Sequence, residues 1–259
     1  MLGKLVAVAA AAYGAPSRDH VVAAPGTQIL LPLVAALVQP GRAAVLGPTY
    51  AEHIRVAALV GHDAQEVTDV AALKHADLAI VVNPNNPDGR TVGANVLLAI
   101  ADELRSRGGL LVVDEAFMDV GPAGGSLGGD VARGNIVVLR SFGKFFGLAG
   151  LRLGFALAAP GIVSRIDAML GPWAVAGPAI AIGEIVLADA TWVRAMRAQL
   201  DQEARRLDEL LTNAGLEIVG GTSLFRLVRT RAASECANRW LFEIDAPHSG
   251  ACFPRSEFR

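Results

Sequence analysis

The sequence predicts an α/β architecture: a mostly parallel seven-stranded sheet flanked by helices, followed by an incomplete small α/β domain. Seven short apolar runs recur between residues 21 and 158, each closed within two residues by Gly, Pro, Asp or Ser, and helix-length segments separate several of them. The runs are continuously apolar rather than alternating, the pattern of strands covered on both faces. Strands alternating with helices favour parallel pairing, because a parallel crossover needs about a helix of chain.

Met1–Tyr13 carries one lysine before an alanine-rich apolar run. It has the outline of a secretory leader. A buried helix at the start of a domain accounts for it better, since alanine is the best helix former. The strand runs are Val21–Ala24, Ala43–Leu46, Gln65–Val67, Leu78–Val82, Leu110–Val113, Ile136–Leu139 and Leu153–Ala158. Between them, Thr27–Val38, Tyr50–Val60 and Val92–Arg107 have helical length and spacing, with Thr49 and Thr91 placed as N-caps. From Ala190 the pattern changes. Thr191–Ala214 is a long charged helix with Trp192, Met196, Leu200, Leu207, Leu210 and Leu211 on one apolar face. Leu216–Val219 and Leu224–Val228 then read as strands around a Gly-Gly turn. A Gly- and Pro-rich stretch near 161–183 marks the expected boundary. It divides a large domain, 1–165, from part of a small one, 166–228, and 229–259 is a tail without usable periodicity.

Composition narrows the function. With 53% apolar and 19% charged residues in 259, the chain is neither disordered nor fibrous. A net charge of −2 argues against nucleic acid, whose phosphates need a basic surface. No membrane span is expected: Val21–Val38 is broken by Pro25, Gly26 and Pro32, and the run around Phe155 carries Arg152. Two cysteines, Cys236 and Cys252, are too few for a disulfide scaffold and point to a soluble cytoplasmic protein. His20, His53, His62 and His75 lack ligand spacing, so no metal is expected.

Ligands of such sheets bind beyond the carboxyl ends of the strands, and four polar clusters lie there. Pro25-Gly26-Thr27-Gln28 leads from the first strand into a helix, a geometry that can cradle phosphate on backbone N–H groups. Asn83-Pro84-Asn85-Asn86-Pro87-Asp88-Gly89-Arg90 makes a rigid polar turn after the fourth. Asp114-Glu115 ends the fifth, and Arg140-Ser141-Phe142-Gly143-Lys144 follows the sixth, with Arg152 eight residues on. A P-loop is excluded, because it needs a hydroxyl residue after the lysine and a glycine where the chain has Phe145 and Val138. No dinucleotide fingerprint follows a strand and opens a helix. A lysine, an aspartate, an asparagine-rich turn, a phosphate cradle and an arginine near the lysine suit pyridoxal phosphate (PLP), which needs a lysine amine and a carboxylate at its pyridine nitrogen.

The motifs APGTQ (24–28), GPTYAEH (47–53), VVNPNNPDGR (81–90), VVDEAF (112–117) and RSFGKFFGLAGLRLGF (140–155) resemble those of class I/II aminotransferases of PLP fold type I. More narrowly, the chain is similar to the threonine-phosphate decarboxylases of cobalamin biosynthesis, relatives of histidinol-phosphate aminotransferase. The resemblance covers about residues 22–228. It implies that Lys144 carries the cofactor and Asp114 pairs with its pyridine nitrogen. Asn86 would bond the phenolic oxygen and Tyr50 would stack on the ring. Gly26, Thr27, Ser141 and Arg152 would hold the phosphate, with Gln28 beside them. It further implies a small phosphorylated amino acid as substrate, L-threonine O-3-phosphate, decarboxylated to aminopropanol phosphate. The alternatives are an aminotransferase of the histidinol-phosphate type and a non-catalytic fragment that still binds PLP.

Phe117 stands where many relatives have tyrosine, and Gly143 where a serine often precedes the lysine. The resemblance also implies a segment before Met1 that crosses to the partner of a homodimer and supplies a tyrosine to the phosphate. It implies a late arginine for the substrate carboxylate, and no position in Arg229–Arg259 matches that motif, Arg239 and Arg255 included. The expectation is an intact cofactor half, a damaged substrate half and a compromised dimer, from a truncated start and a tail read in a shifted frame.

Overall fold

A computed structural model describes residues 2–229; the tail predicted to depart from the family, and with it Arg239 and Arg255, lies outside the described residues. Seven strands form one sheet: β1 (Val21–Ala24), β2 (Arg42–Leu46), β3 (Asp63–Val67), β4 (Leu78–Val82), β5 (Leu110–Asp114), β6 (Ile136–Ser141) and β7 (Gly154–Leu157). Their spatial order is β1-β7-β6-β5-β4-β2-β3. β7 runs antiparallel to both β1 and β6, and the pairs from β6 to β3 are parallel.

The apolar runs have the cause inferred for them except at Gln65–Val67, where β3 is a polar edge strand that lies mostly exposed. In β1, Val21 and Ala23 face one core while Val22 and Ala24 face the other. The first core is closed by helices α1 (Leu2–Tyr13), α4 (Ala94–Arg105) and α6 (Gly177–Ala188) through Leu5, Ile100 and Ile180. The second is closed by α2 (Thr27–Ala35), α3 (Glu52–Leu59) and α5 (Pro160–Leu170) through Leu30, Val56 and Ile166. Each such side chain taken from water contributes about 1.5–3 kcal/mol. α1 is the buried-helix alternative for the first residues, with Leu5, Ala9, Ala10 and Tyr13 buried. No helix among the described residues is long and apolar enough to cross a membrane.

Two expectations about local structure need correction. Thr49 and Thr91 do not cap helices; α3 and α4 start later, after Ala51 and Gly93. Thr49 Oγ1 instead donates to Asn85 Oδ1 at 2.6 Å, bracing the asparagine-rich turn. The Gly- and Pro-rich 161–183 stretch, where the domain boundary is expected, is largely helical; Pro160 and Pro178 lie in first turns, where a missing N–H removes no helical bond. Finally, α7 (Ala190–Asn213) leads to a hairpin of β8 (Glu217–Thr222) and β9 (Phe225–Arg229) whose turn is Ser223-Leu224. Gly220 and Gly221 are strand residues beside an irregularity in the β8 register, not the turn. Gly220 is small because β8 lies against the backbone at Asp88, and Gly221, with φ of 141°, because a Cβ there would meet the Phe225 carbonyl of β9.

Candidate active site

The carboxyl ends of β1, β4, β5 and β6 open into one cleft of about 770 Å³. Gly26, Thr27, Gln28, Tyr50, Asn86, Asp114, Ser141, Lys144 and Arg152 all line it, so every residue singled out from the sequence reaches one place. Leu224, Phe225, Arg226 and Leu227 of the hairpin form a further wall.

Asp114 is the last residue of β5 and is buried. Its Oδ2 lies 3.0 Å from His53 Nε2, and its Oδ1 accepts the Ala116 N–H at 3.0 Å. Both oxygens are therefore oriented, which fixes the carboxylate at the mouth of the strand. His53 is 1% exposed and comes from α3. Read for metal spacing it stood alone; the signal was its place in the GPTYAEH motif, three residues after Tyr50. The two rings make an edge contact, with centroids 5.9 Å apart.

Gly26 has φ of 86° and stands immediately before α2. A Cβ there would lie 2.5 Å from Arg152 Nη2, so the guanidinium rests against the bare backbone at a helix start. The first N–H groups of a helix have no internal partners and carry partial positive charge. Arg152 donates to the Ala149 carbonyl at 3.1 Å. Among the described residues it enters no salt bridge, nor does Lys144. The cleft thus holds two cations without a protein counter-ion, beside a helix start.

Lys144 follows β6 in a loop pinned by aromatic packing. Phe142 stacks on Phe146 at 4.6 Å, and Phe145 and Phe146 both contact Trp192 of α7. Gly143 has a steric reason: a Cβ would meet Ala149 Cα at 3.0 Å. The Lys144 ammonium lies 5.5 Å from the centroid of Phe117, whose ring meets Phe225 of the hairpin edge-on at 5.0 Å.

The asparagine-rich turn is braced throughout. Asn83 Oδ1 accepts the Val92 N–H at 2.8 Å, and Asn85 Nδ2 donates to Pro48 O and to Asp88 Oδ1. Arg90 binds Asp88 and the Gly47 carbonyl. Of the three asparagines, Asn86 lines the cleft. Gln28 reaches the cleft with its side chain engaged: Oε1 accepts from Tyr50 Oη at 3.2 Å, and Nε2 donates to Glu52 at 2.8 Å. Hydrogen bonding from Arg55 holds the Glu52 carboxyl below its ordinary range.

Beneath the cleft lies a buried ion cluster that sequence reasoning missed. Arg140 pairs with Glu115 at 3.0 Å and Asp119 at 2.5 Å, and its guanidinium lies 4.4 Å over the Tyr13 ring. Glu115 also accepts from Ser126 and the Leu127 N–H. Burial pushes its carboxyl up, against the opposing effect of Arg140. The cluster ties the end of β5 to β6, the strands that carry Asp114 and Ser141. No group of three or more His, Cys, Asp or Glu able to hold a metal occurs among the described residues.

The family described as aminotransferase class I and II matches residues 8–244. The chain belongs to this family. It is 46% identical over 207 residues to a threonine-phosphate decarboxylase of a Sinorhizobium species, covering 79% of this chain and 61% of that relative. It is 42% identical over 234 residues to the threonine-phosphate decarboxylase of Pseudomonas aeruginosa, covering 89% of this chain and 70% of the other. The chain thus spans about three fifths of the first relative's length. The structure of histidinol-phosphate aminotransferase from Sinorhizobium meliloti in complex with pyridoxal-5'-phosphate superposes with a TM-score of 0.77 at 23% identity, covering 92% of this chain and 69% of that one. That likeness establishes the fold, the predicted one, for the class I/II aminotransferase family member described here.

Proposed function

We propose that this aminotransferase-family chain binds PLP and decarboxylates L-threonine O-3-phosphate to aminopropanol phosphate in cobalamin biosynthesis. The observation that carries the cofactor reading is the convergence of Lys144, Asp114, Asn86 and Arg152 on one cleft. The residues present fit PLP. The cradle at Gly26 is space that a Cβ would fill, Arg152 enters no salt bridge among the described residues, and Asp114 is held in orientation by two hydrogen-bond partners. The relatives at 46% and 42% identity bear the name of this activity and support the choice of substrate.

When bound, PLP supplies an electron sink for charge developing at the substrate Cα. Lys144 is the amine available for covalent attachment. Asp114, oriented by His53, would keep a proton on the pyridine nitrogen. Arg152, Ser141 and the N–H groups after Gly26 would hold the phosphate. Asn86 would donate to the phenolic oxygen, and Tyr50, braced by Gln28, would lie on the ring. Phe117 and Phe225 exclude water from the side on which Lys144 stands. In the reaction the bond from Cα to the carboxylate breaks, carbon dioxide leaves, and a proton returns to Cα. Lys144 would deliver it.

The same proposal includes a large PLP-binding domain over 1–165 with part of a small one over 166–228, a cytoplasmic location, and a homodimer of the family type. Exposed Trp173, Ile182 and Ile185 are apolar surface that a second copy would cover. The test is release of carbon dioxide from carboxyl-labelled L-threonine O-3-phosphate. Amino transfer from histidinol phosphate to a 2-oxoacid, with no carbon dioxide, would instead support the aminotransferase reading.

A further inference from the structure

The β8–β9 hairpin reaches the cleft through an unusual joint. Its β8 strand lies backbone to backbone against the turn that carries Asn86. The Gly221 N–H donates to the Asp88 carbonyl at 2.8 Å. A Cβ on Gly220 would lie 2.2 Å from that carbonyl oxygen, and a Cβ on Gly89 would lie 1.9 Å from the Gly221 oxygen. In both cases the obstructing atom is backbone, which cannot rotate aside as a side chain would. Glycine on both sides is thus what permits the hydrogen bond. Beyond the joint, the same hairpin supplies Phe225, which meets Phe117 at 5.0 Å, and Leu224 to Leu227 of the cleft wall. Arg226 locks the other side of the hairpin to α7 through Asp208, at 2.9 Å from Nη2.

We infer that Gly220, Gly89 and Gly221 form a glycine joint that sets the substrate-facing wall in register with the Asn86 turn, making Gly220 a positioning residue for substrate but not for the cofactor. The reason is a division of labour in the cleft. The groups suited to PLP sit on the sheet ends, the β4 turn and the Lys144 loop, whereas the hairpin brings only its wall. Alanine at Gly220 would force the joint open by roughly 1 Å to restore ordinary contact. The wall would then move against a fixed cofactor site. The inference rests on the functional reading above, so its test has one arm that does not need a substrate.

The experiment compares wild type, Gly220→Ala and Gly93→Ala; a Cβ on Gly93 meets nothing. In the first arm, hydrogen–deuterium exchange is followed by mass spectrometry in the PLP-loaded proteins. Gly220→Ala is expected to speed exchange in residues 217–229, where the Gly221 N–H loses its acceptor, and to leave residues 83–90 at the wild-type rate, with Gly93→Ala changing neither. Unchanged exchange in the hairpin, or equal loosening of the Asn86 turn, would overturn the joint. In the second arm, the visible absorption of the cofactor is titrated with PLP, then with L-threonine O-3-phosphate. Gly220→Ala is expected to keep the wild-type PLP affinity within about twofold and to weaken substrate binding about 10- to 100-fold, the order of change an overpacked contact produces. Equal substrate affinity in Gly220→Ala and wild type would overturn the positioning role. A wild-type band that ignores the substrate would strike at the functional reading instead, leaving the exchange arm to decide the joint.

Discussion

Replacing Arg140 by leucine tests the buried ion cluster beneath the cleft. Arg140 is 4% exposed, Glu115 0% and Asp119 5%, so removing the guanidinium leaves two carboxylates in the interior without their cation. Breaking a buried ion pair from one side costs about 3–5 kcal/mol, because the abandoned charge keeps its desolvation penalty. For a chain of this size that lowers Tm by roughly 6–20 °C. The loss must also depend on pH. Burial already raises the Glu115 carboxyl, and Arg140 opposes that rise. Without Arg140 the folded protein binds the Glu115 proton more tightly than the unfolded chain does. Stability then falls as pH climbs from the unfolded carboxylate range, near 4.3, through the raised folded value. Urea unfolding followed by circular dichroism at pH 5 and pH 8 should show an unchanged m-value and a deficit larger at pH 8. A loss below about 1 kcal/mol, or one that is equal at both pH values, would refute the reasoning.

Three further outcomes follow from the site geometry. His53→Ala removes one of the two partners of Asp114 and should lower the unfolding free energy by about 1–3 kcal/mol, measured in urea. Arg152→Ala should weaken PLP binding about 10- to 100-fold in an absorption titration, the effect of losing one charge-assisted hydrogen bond to phosphate. Hydrogen bonds from Arg226 hold the Asp208 carboxyl below its ordinary range. A depressed carboxyl stabilises the fold above its unfolded pKa of about 3.9, and the benefit fades as pH falls through the lower folded value. Asp208→Asn should therefore cost up to about 1 kcal/mol at pH 7 and lose that penalty in strong acid, by denaturant melts at both pH values.

Legibility in the sequence differed by the range of the interaction involved. Six of the seven strands of the large sheet were visible as apolar runs, because a sheet covered on both faces demands them, whereas β3 is an exposed edge strand reading Asp-Ala-Gln-Glu-Val. The cleft-lining residues were visible because they follow strand ends, where backbone polarity and chain direction concentrate chemistry. Contacts between distant segments left no local mark. His53 looked like one of several scattered histidines until α3 brought it to Asp114, 61 residues away. Arg140, Glu115 and Asp119 read as separate charges until β5 and β6 paired. Gly220-Gly221 looked like a turn by composition, although it is a strand thinned for a neighbouring backbone. Thr49 had the chemistry of a cap, but Asn85 from the β4 turn claimed its hydroxyl.

The most direct measurement is the visible absorption spectrum of the purified chain with added PLP, beside Lys144→Ala. The account predicts a band that requires Lys144 and shifts when L-threonine O-3-phosphate is added. A band identical in both proteins, or none in either, would contradict it.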